Sequence, residues 1–308
     1  MNAEAHGEAQ TWRVGRHRVR IGRPDKELFE PGGVTKRELA EHYRAVAEPM
    51  LRHLRGRPLA LQRYPHGIAD PSGGFYVKNR PSYAPAFAGA VRVPKEDGSA
   101  ETEMLVCDDA ATLVWLADQA AITLHPWLSR AGGLRYPDRL IIDLDPPGDD
   151  FTAVRRAAHD VRDVLEGLGL AAFAMTTGSR GLHVVAPIRP EIDAAQARDF
   201  AHVIAELVAR RRPDELTTLL RKQRRGDRLF LDYLRNGYAQ LAVAPYSVRA
   251  LPGAPVATPL HWEELEQVDS ARAWTVRTFA ERLADEPWRD MARHARSPRR
   301  AIERLEVS

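Results

Sequence analysis

The chain has almost no cysteine and no long hydrophobic segment. Cys107 is the single cysteine among 308 residues, so no disulfide can form within the chain. Chains without disulfides are typical of a reducing compartment, and we expect a cytoplasmic location. No run of 18 apolar residues occurs, and residues 1–10 lack the apolar core of a signal peptide. We therefore expect neither a membrane span nor secretion.

Net charge is also low, at +3, although 45 residues are Lys or Arg. These basic residues cluster along the chain, in the ranges 13–23, 52–57, 210–228 and 293–304. Basic clusters on a nearly neutral chain indicate an anionic partner, with nucleic acid ahead of a membrane surface. The alternative is a set of solvated arginines on helix faces, and charge alone favours that alternative.

Hydrophobic periodicity alternates between helical and strand patterns. A helix is predicted from Thr35, which can form a capping box with Glu38, and Pro49 should kink or split this helix. Two later helices are predicted over residues 151–169 and 194–211. Strands are predicted for the segments RPLALQRYP, GGFYVKN, RLIIDLD, AAFAMTTGS, LHVVAPI and RLFLDYL.

Three further stretches have weaker patterns. Residues 108–127 predict one apolar helix with Asp109 as its cap. Residues 93–103 predict an exposed loop or hairpin tip, and residues 1–20 predict a flexible lead. No Ser/Gly-rich linker divides the chain. The mixture of helices and strands therefore predicts an α/β or α+β protein, with a single domain of two lobes over residues 1–308.

Two carboxylates, Asp143 and Asp145, end the strand RLIIDLD just before a pair of prolines. Residues two apart on a strand point to the same face, so both carboxylates project together while Leu144 turns back into the core. Carboxylates this close repel each other unless a proton or a cation lies between them. The pair is suited to Mg²⁺ or Mn²⁺, which prefer oxygen ligands. Such a D-x-D triplet is also a common way to end a strand.

A further carboxylate, Asp232, lies in the middle of the apolar strand RLFLDYL. A buried, unpaired carboxylate is costly, so Asp232 needs a cation or an ionic partner. With Asp143 and Asp145 it would complete the minimum set for a two-metal phosphoryl-transfer site. The alternative is an ion pair with Arg228 or Arg235, and the sequence does not separate these two interpretations.

A candidate phosphate-binding turn lies in TTGSRGLHVV, residues 176–185. The glycine-flanked turn offers backbone amides together with Ser179, Arg180 and His183. Its spacing is neither that of a P-loop nor that of a dinucleotide-binding motif, and an ordinary hairpin turn is the alternative. Arg249, in a proline-bounded loop, is a second candidate phosphate ligand.

The N-terminal third contains two other candidate sites. Lys26 and Lys36 bracket a glycine turn before the capped helix, and a helix N-terminus between lysines attracts anions. Solvated lysines are the alternative. Phe75 and Tyr76 form an aromatic pair of the kind on which bases stack. Neighbouring residues of a strand point to opposite faces, so a core position for one of the two rings is equally compatible with the sequence.

In this order, the segments IIDLDPP, TTGSRGLHVVAPI, LFLDYLRN and APYSVR resemble the polymerase domain of bacterial ligase D, an end-joining primase-polymerase of the archaeo-eukaryotic primase superfamily. RPDKELFEPGGVTKREL, RPLALQRYPHGI and GGFYVKN resemble it too, so the similarity extends over about residues 20–290. The resemblance implies an α+β primase-polymerase fold, with an RNA-recognition-like catalytic sheet and a packed N-terminal α/β lobe. It also implies metal-dependent, template-directed nucleotidyl transfer onto DNA primer ends, with ribonucleotides preferred.

The resemblance also implies roles for individual residues. The ligands of two Mn²⁺ or Mg²⁺ ions would be Asp143, Asp145 and Asp232. The contacts to the incoming nucleoside triphosphate would be Ser179, Arg180, His183 and Arg249, with His125 near the sugar. The DNA contacts would be Lys26 and Lys36 at a 5′-phosphate, Phe75 and Tyr76 under the bases, and Arg225 beside the primer end.

The expected partners are gapped, nicked or overhanging DNA, nucleoside triphosphates, a DNA ligase and a Ku-like end-binding protein at the bacterial nucleoid. The sequence departs from the family pattern at Arg180, where Lys is more usual, and at Gln62, where several relatives have a basic residue. The sequence has no ligase or nuclease domain, so we expect an excised domain or a stand-alone relative. The alternatives are a stand-alone enzyme of short-gap or excision repair, a two-metal nuclease or phosphodiesterase, and an inactive module that binds DNA ends.

Overall fold

The structure is a computed structural model that describes residues 7–30 and 32–307. The chain divides into two compact units. Unit 1 comprises Met1–Pro126, Val243–Ala257 and Trp274–Glu286, and unit 2 comprises Trp127–Ala242, Thr258–Ala273 and Pro287–Ser308. Each unit draws on three separate stretches, and a single domain over residues 1–308 stays a prediction. Among the residues described, no helix has the length and hydropathy needed to cross a bilayer.

Unit 1 contains seven strands and three helices in its described residues. In chain order these are β1 (Gln10–Val14), β2 (His17–Ile21), α1 (Lys36–Ala45), α2 (Ala47–Leu54), β3 (Pro58–Arg63), β4 (Phe75–Val77), β5 (Gly89–Pro94), β6 (Glu101–Val106), α3 (Ala110–Asp118) and β7 (Ala121–Pro126). Strand β3 organises the main sheet, since it pairs antiparallel with β4, β6 and β7. The last strand of this sheet, β5, forms a hairpin with β6, and the tip of the hairpin lies within the predicted loop 93–103.

Helix α1 begins as predicted. The Thr35 side chain accepts a hydrogen bond from the backbone N–H of Glu38, and the Glu38 side chain accepts one from the N–H of Thr35, which completes the capping box. The predicted split is confirmed at Val46, between α1 and α2. Pro49 then lies in the first turn of α2, where a missing N–H costs no helical hydrogen bond.

The prediction of a flexible lead over residues 1–20 is wrong for its second half. Strands β1 and β2 form an antiparallel hairpin in which Gln10 faces Ile21. Val14, Val19 and Ile21 are buried, so the strands alternate between apolar and charged residues. Arginines at the exposed positions had masked this alternation. Residues 1–6 lie outside the described part of the chain.

The single helix predicted over residues 108–127 is also wrong, because the segment forms α3 and then β7. Asp109 caps α3 as expected, accepting a hydrogen bond from the N–H of Thr112 at 2.8 Å. Ala120 has a φ of +52°, a left-handed conformation that ends a helix. The residues of β7 are all buried, so their uniform apolar character concealed the change from helix to strand.

Unit 2 is built around a six-stranded sheet. Its elements are β8 (Arg139–Asp145), α4 (Phe151–Gly167), β9 (Phe173–Thr176), β10 (Leu182–Pro187), α5 (Ala194–Arg211), β11 (Leu216–Thr217), β12 (Leu229–Asp232), β13 (Pro259–Leu260) and α6 (Pro298–Val307). The strand order is β11-β12-β8-β10-β9-β13. The β8-α4-β9-β10-α5-β12 segment is a split β-α-β unit with β8 and β10 at its centre, which confirms the predicted α+β fold with an RNA-recognition-like sheet.

Candidate functional site

Three polar side chains lie in one row across the central strands of unit 2. In the sheet register, Asp143 of β8 faces Asp232 of β12 on one side and His183 of β10 on the other. Asp145 lies two residues beyond Asp143 and so projects from the same face, while Leu144 is fully buried between them. The structure therefore brings together the carboxylates that the sequence placed on two separate strands.

Arg235 supplies the counter-charge for this row. Its Nε donates a hydrogen bond to Oδ2 of Asp143 at 3.3 Å and lies 3.2 Å from Oδ2 of Asp232, so one nitrogen forms ion pairs with two carboxylates. This contact confirms the predicted ion-pair alternative for Arg235. Arg228 instead donates to the backbone carbonyls of Arg224 and Arg225.

The two bridged carboxylates have different ionisation behaviour. Burial alone would raise the pKa of Asp143, but His183 and Arg235 outweigh it, so the pKa of this carboxyl is lowered. At Asp232 burial is the largest influence and raises the pKa, although Arg235 opposes it. The negative charge of the row is therefore held more firmly at Asp143 than at Asp232.

Asp145 faces two other arginines. Arg180 Nη2 lies 3.2 Å from Asp145 Oδ1, and Arg225 Nη1 lies 3.8 Å from Asp145 Oδ2. The Arg225 guanidinium is fixed by hydrogen bonds to the carbonyls of Leu219 and Leu220, both at 2.9 Å. Every carboxylate of the site therefore has at least one guanidinium partner.

The contacts of the three carboxylates bear on whether these side chains could hold a metal ion. Among residues 7–30 and 32–307, no group of three or more His, Cys, Asp or Glu side chains is arranged to hold a metal ion. At the carboxylate row, guanidinium groups contact the oxygens that a metal would need. The donor set consists of carboxylate oxygens, the ligands that a hard divalent cation prefers, and Arg235 contacts the oxygens of Asp143 and Asp232.

The predicted phosphate-binding turn closes beside the carboxylates. Thr177 donates from its N–H and its hydroxyl to the carbonyl of Gly181, both at 3.0 Å, and Arg272 Nε donates to the carbonyl of Ser179 at 2.8 Å. Arg180 is exposed, and His183 is buried with its Nε2 3.5 Å from Asp143 Oδ1. The buried Nδ1 of His183 has no hydrogen-bond partner among the described residues, which is typical of an atom that meets a ligand.

Two residues hold this arrangement, Asn236, which sequence reasoning missed, and Gly181 of the predicted turn, whose close approach to β8 it missed. The buried side chain of Asn236 accepts a hydrogen bond from the N–H of Ile141 at 2.8 Å and donates one to the carbonyl of Ile141 at 2.7 Å. These two bonds attach the segment after β12 to β8. At Gly181 an added Cβ would lie 1.8 Å from the carbonyl oxygen of Leu144. Only glycine allows the turn to approach β8 this closely. Asn236 directly follows Arg235, so the motif LRN was the available signal.

In unit 1, Tyr76 and His125 lie together. Their ring centroids are 5.6 Å apart, and Tyr76 is half exposed whereas His125 is buried on β7. Beside them, Gln62 donates to the hydroxyl of Tyr64 at 2.8 Å. Burial raises the pKa of Tyr64, and the charge of Arg249 opposes this shift, so the predicted phosphate ligand Arg249 is near this group.

Phe75 and Tyr76 do not share a face. Phe75 pairs with Arg63 across the strands and Tyr76 with Gln62, so their side chains point to opposite sides of the sheet. The Arg63 guanidinium lies 5.8 Å from the centroid of the Phe75 ring. Each ring is about half exposed, but the two do not form a single platform.

A basic pocket of about 440 Å³ lies on the Arg63 side of unit 1. Its charged lining is Arg20, Arg23, Lys36, Arg63 and Asp118. Lys36 forms an ion pair with Asp118 at 3.2 Å, and Lys26 donates to the carbonyl of Pro65, another lining residue, at 2.5 Å. Burial lowers the pKa of both lysines, and at Lys26 the charges of Arg23 and Lys36 add to that effect. A bound anion would relieve such repulsion between cations, so the pocket supports the predicted anion site, which stays a prediction.

The arginines of this pocket were not singled out from the sequence. Arg20 and Arg23 belong to the basic cluster at residues 13–23, which was the available signal. Arg23 also has a φ of +51°, an unusual backbone conformation for a residue other than glycine. Backbone strain of this kind tends to occur at binding sites.

The family model described as "LigD, primase-polymerase domain" matches residues 35–291, which contain the central strands of this sheet, the carboxylate row and the Ser-Arg turn. The chain belongs to this family.

Two curated relatives are each 33% identical to the chain. They are the multifunctional non-homologous end joining protein LigD of Pseudomonas aeruginosa, matched over 89% of this chain, and the bifunctional non-homologous end joining protein LigD of Bacillus subtilis, matched over 84%. The matched region is 33% and 41% of those proteins, so the chain spans less than half of their length. A solved structure of the polymerase domain from Mycobacterium tuberculosis ligase D, in complex with DNA, has a TM-score of 0.81 and 30% identity, covering 88% of this chain and 97% of that one.

Replacement of Gly181 by alanine tests whether the turn must approach β8. We expect Gly181→Ala to lower the free energy of unfolding by about 1–3 kcal/mol, the usual cost of overpacking, because its Cβ would meet the carbonyl of Leu144. Gly148→Ala is the matched control, since an added Cβ there meets nothing within 4 Å. Urea denaturation measures both variants, and equal stability of the two would contradict the close approach.

Proposed function

We propose that this chain is a template-directed nucleotidyltransferase that extends DNA primer ends. The observation that carries the proposal is the row of Asp232, Asp143 and His183 across adjacent strands, in a chain of the LigD primase-polymerase family. In the proposed reaction the primer 3′-hydroxyl attacks the α-phosphate of a nucleoside triphosphate. A phosphodiester bond forms, the bond to the β-phosphate oxygen breaks, and pyrophosphate leaves.

In this proposal Asp143, Asp145 and Asp232 hold two divalent cations, Mn²⁺ or Mg²⁺. Bound ions of this kind lower the pKa of an attacking hydroxyl and offset the charge of the phosphates. The support is a donor set made only of carboxylates, together with the bridging position of Arg235. A divalent cation at this site would compete with the guanidinium of Arg235 for the same oxygens.

The turn with Ser179 and Arg180 binds the triphosphate in this proposal, together with His183. The exposed guanidinium of Arg180 and the unpartnered Nδ1 of His183 support this role. These groups would offset negative charge that develops on the leaving pyrophosphate. Arg249 as a further phosphate ligand, His125 near the sugar and Arg225 at the primer end are proposed on the family resemblance.

We also propose that the reaction serves non-homologous end joining in the cytoplasm, at the nucleoid, with a DNA ligase and a Ku-like end-binding protein as partners. The support is that the relatives are described as end joining proteins and that a related polymerase domain was solved with DNA. Short-gap or excision repair would use the same chemistry and is the alternative role.

Primer extension on a gapped duplex tests the activity directly. A labelled primer that lengthens with Mn²⁺ and nucleotide supports polymerase activity, whereas shortening indicates a two-metal nuclease and no change indicates an inactive DNA-end-binding module. We propose that ribonucleotides are preferred, as the family resemblance implies. Catalytic efficiencies measured with ribo- and deoxynucleotides side by side check this preference, and a higher value for deoxynucleotides would contradict it.

Asp143→Asn tests the role of the carboxylate row. We expect the rate of nucleotide addition to fall by roughly a hundredfold or more, the scale for loss of one group that stabilises a transition state. Binding of DNA should change little, because this carboxylate acts on the chemistry. Asp149→Asn is the control, since Asp149 is exposed and lies only four residues beyond Asp145. Extension by Asp143→Asn at the rate of the control would refute the assignment.

Lys26 and Lys36 are proposed to bind a 5′-phosphate of the DNA, at the basic pocket. We expect wild-type protein to bind a gapped duplex more tightly when the downstream strand carries a 5′-phosphate. Combined Lys26→Ala and Lys36→Ala should remove this difference, and the slope of log affinity against log salt should fall by about one for each lost phosphate contact. Fluorescence anisotropy on 5′-phosphorylated and 5′-hydroxyl duplexes measures both effects.

Arg20→Ala provides a milder variant at the same pocket, because it removes a lining charge and leaves the Lys36–Asp118 ion pair in place. It should weaken the phosphate preference only in part. If the double lysine variant keeps the full preference for the 5′-phosphate, the phosphate binds elsewhere on the protein and the assignment of Lys26 and Lys36 is wrong.

A further inference from the structure

A strongly basic surface lies at the end of the unit 2 sheet that is opposite the carboxylate row. Strand β8 runs from Arg139 to Asp145, and β10 runs back beside it, so that Pro187 pairs with Arg139. At about 3.3 Å per residue, Arg139 lies about 20 Å along the strand from Asp145. Charges at this end of the sheet therefore form a surface separate from the site of the proposed reaction.

Three segments of unit 2 meet at this end of the sheet, and they are residues 128–139, 187–194 and 289–300. Backbone hydrogen bonds join them. The N–H of Ile188 donates to the carbonyl of Asp138 at 3.0 Å, and the N–H of Arg189 donates to the carbonyl of Arg296 at 2.8 Å. Side chains that are distant along the chain are thereby brought to one surface.

The net charge of these segments is strongly positive. They contain nine arginines against four aspartates and glutamates, which gives a net charge of +5, whereas the net charge of the whole chain is +3. The rest of the chain is therefore slightly acidic. A local excess of one sign on a nearly neutral protein attracts a partner of the opposite sign.

Four exposed arginines of these segments have no carboxylate partner. Among residues 7–30 and 32–307, no Asp or Glu oxygen lies within 4.0 Å of the guanidinium nitrogens of Arg135, Arg296, Arg299 and Arg300. Arg299 is nevertheless held in place, because it donates twice to the carbonyl of Glu191, at 3.1 and 2.9 Å. Around the carboxylate row, by contrast, each arginine faces an aspartate. The positive charge at the far end of the sheet is thus left for an external anion.

An exposed aromatic ring lies among these charges. Tyr136 is 47% exposed and directly follows Arg135. Its loop is fixed, because the N–H of Tyr136 donates to the carbonyl of Gly133 at 2.9 Å and the hydroxyl of Ser129 donates to the carbonyl of Leu134 at 2.8 Å. Clustered cations beside an ordered aromatic ring are typical of surfaces that contact nucleic acid.

We propose that a distal surface, formed by Arg135, Tyr136, Arg296, Arg299 and Arg300, binds the phosphate backbone of the duplex that flanks the DNA end or gap. This inference rests on the proposed function, since it takes DNA as the ligand. Phosphates repeat about every 3.4 Å along each strand, so a separation of about 20 Å corresponds to about six base pairs. A longer duplex arm reaches the distal surface while its end occupies the site of the proposed reaction.

A duplex fits this surface better than an acidic protein segment does. The unpaired guanidiniums come from separate segments and so are spread over the surface, which matches an anion that repeats along a strand. Arginine also binds phosphate through two parallel N–H groups, and such contacts to the backbone hold DNA regardless of its sequence. An acidic protein is the other class of partner, and the experiment below separates the two.

The length of the flanking duplex tests the inference. Two DNAs share the same 5′-phosphorylated gap, but their hairpin-closed arms are shorter than about six base pairs in one and at least twice that length in the other. We expect wild-type protein to bind the long-arm DNA more tightly. Combined Arg135→Gln and Arg300→Gln should weaken long-arm binding roughly tenfold and lower the slope of log affinity against log salt by about two. Fluorescence anisotropy at several salt concentrations measures both effects.

The variants are chosen to leave the fold intact. Among the described residues, the side chains of Arg135 and Arg300 donate no hydrogen bond. Each single substitution should lower the salt slope by about one, so the test remains decisive if the combined variant is unstable. Combined Arg135→Lys and Arg300→Lys keeps the charge and should retain most of the long-arm preference.

Combined Arg156→Gln and Arg162→Gln is the matched control. It removes the same net charge from α4, where each arginine already pairs with a glutamate, at 3.1 and 2.8 Å. This control should bind both DNAs as wild type does. Equal losses in the control and in the distal variant would show that overall charge sets the preference, which would overturn the inference.

The remaining outcomes distinguish this inference from the proposed function. If wild-type protein extends a primer but shows no long-arm preference, or if the distal variant keeps that preference in full, the distal surface does not bind DNA. The inference is then refuted, an acidic protein becomes the partner to seek, and the proposed function stands. If wild-type protein neither extends a primer nor binds either DNA, both are refuted. The rate of nucleotide addition at saturating DNA should stay at the wild-type value in the distal variant, because its substitutions lie far from the carboxylate row.

Discussion

The repulsion between two carboxylates on neighbouring strands is the constraint on which the centre of unit 2 depends. Asp143 and Asp232 face each other in the register of β8 and β12, and a single nitrogen of Arg235 lies 3.3 and 3.2 Å from them. Removing this cation would leave like charges together, which is destabilising unless another cation takes its place. A buried ion cluster adds little to stability compared with an apolar core, which supports the proposal that this row binds a cation.

Much of this arrangement was predictable from local sequence. The two-residue spacing of Asp143 and Asp145 fixes a common face on a strand, and the capping box of Thr35 fixes the start of α1. These features depend on neighbours a few residues apart, for which periodicity and hydrogen-bonding geometry are sufficient. The order of the motifs, through their resemblance to a known family, then predicted the sheet and the residues around it.

The features that were missed depend on long-range pairing or on competing signals. The ion pair of Arg235 with Asp232 was one predicted alternative, but its contact with Asp143 requires the register between β8 and β12, which spacing along the chain does not encode. The β1–β2 hairpin was obscured by its arginines, and the change from α3 to β7 by uniform burial. In each case tertiary structure decided between local alternatives.

Binding of Mn²⁺ to the protein alone, without nucleotide or DNA, tests the central claim that the carboxylate row is a cation site with Arg235 as its resident counter-ion. Electron paramagnetic resonance of free Mn²⁺ measures the affinity of wild type, Arg235→Gln and Asp143→Asn. We predict tighter binding by Arg235→Gln, because a competing positive charge is removed, and weaker binding by Asp143→Asn. Equal affinity in all three proteins, or weaker binding by Arg235→Gln, would contradict the account.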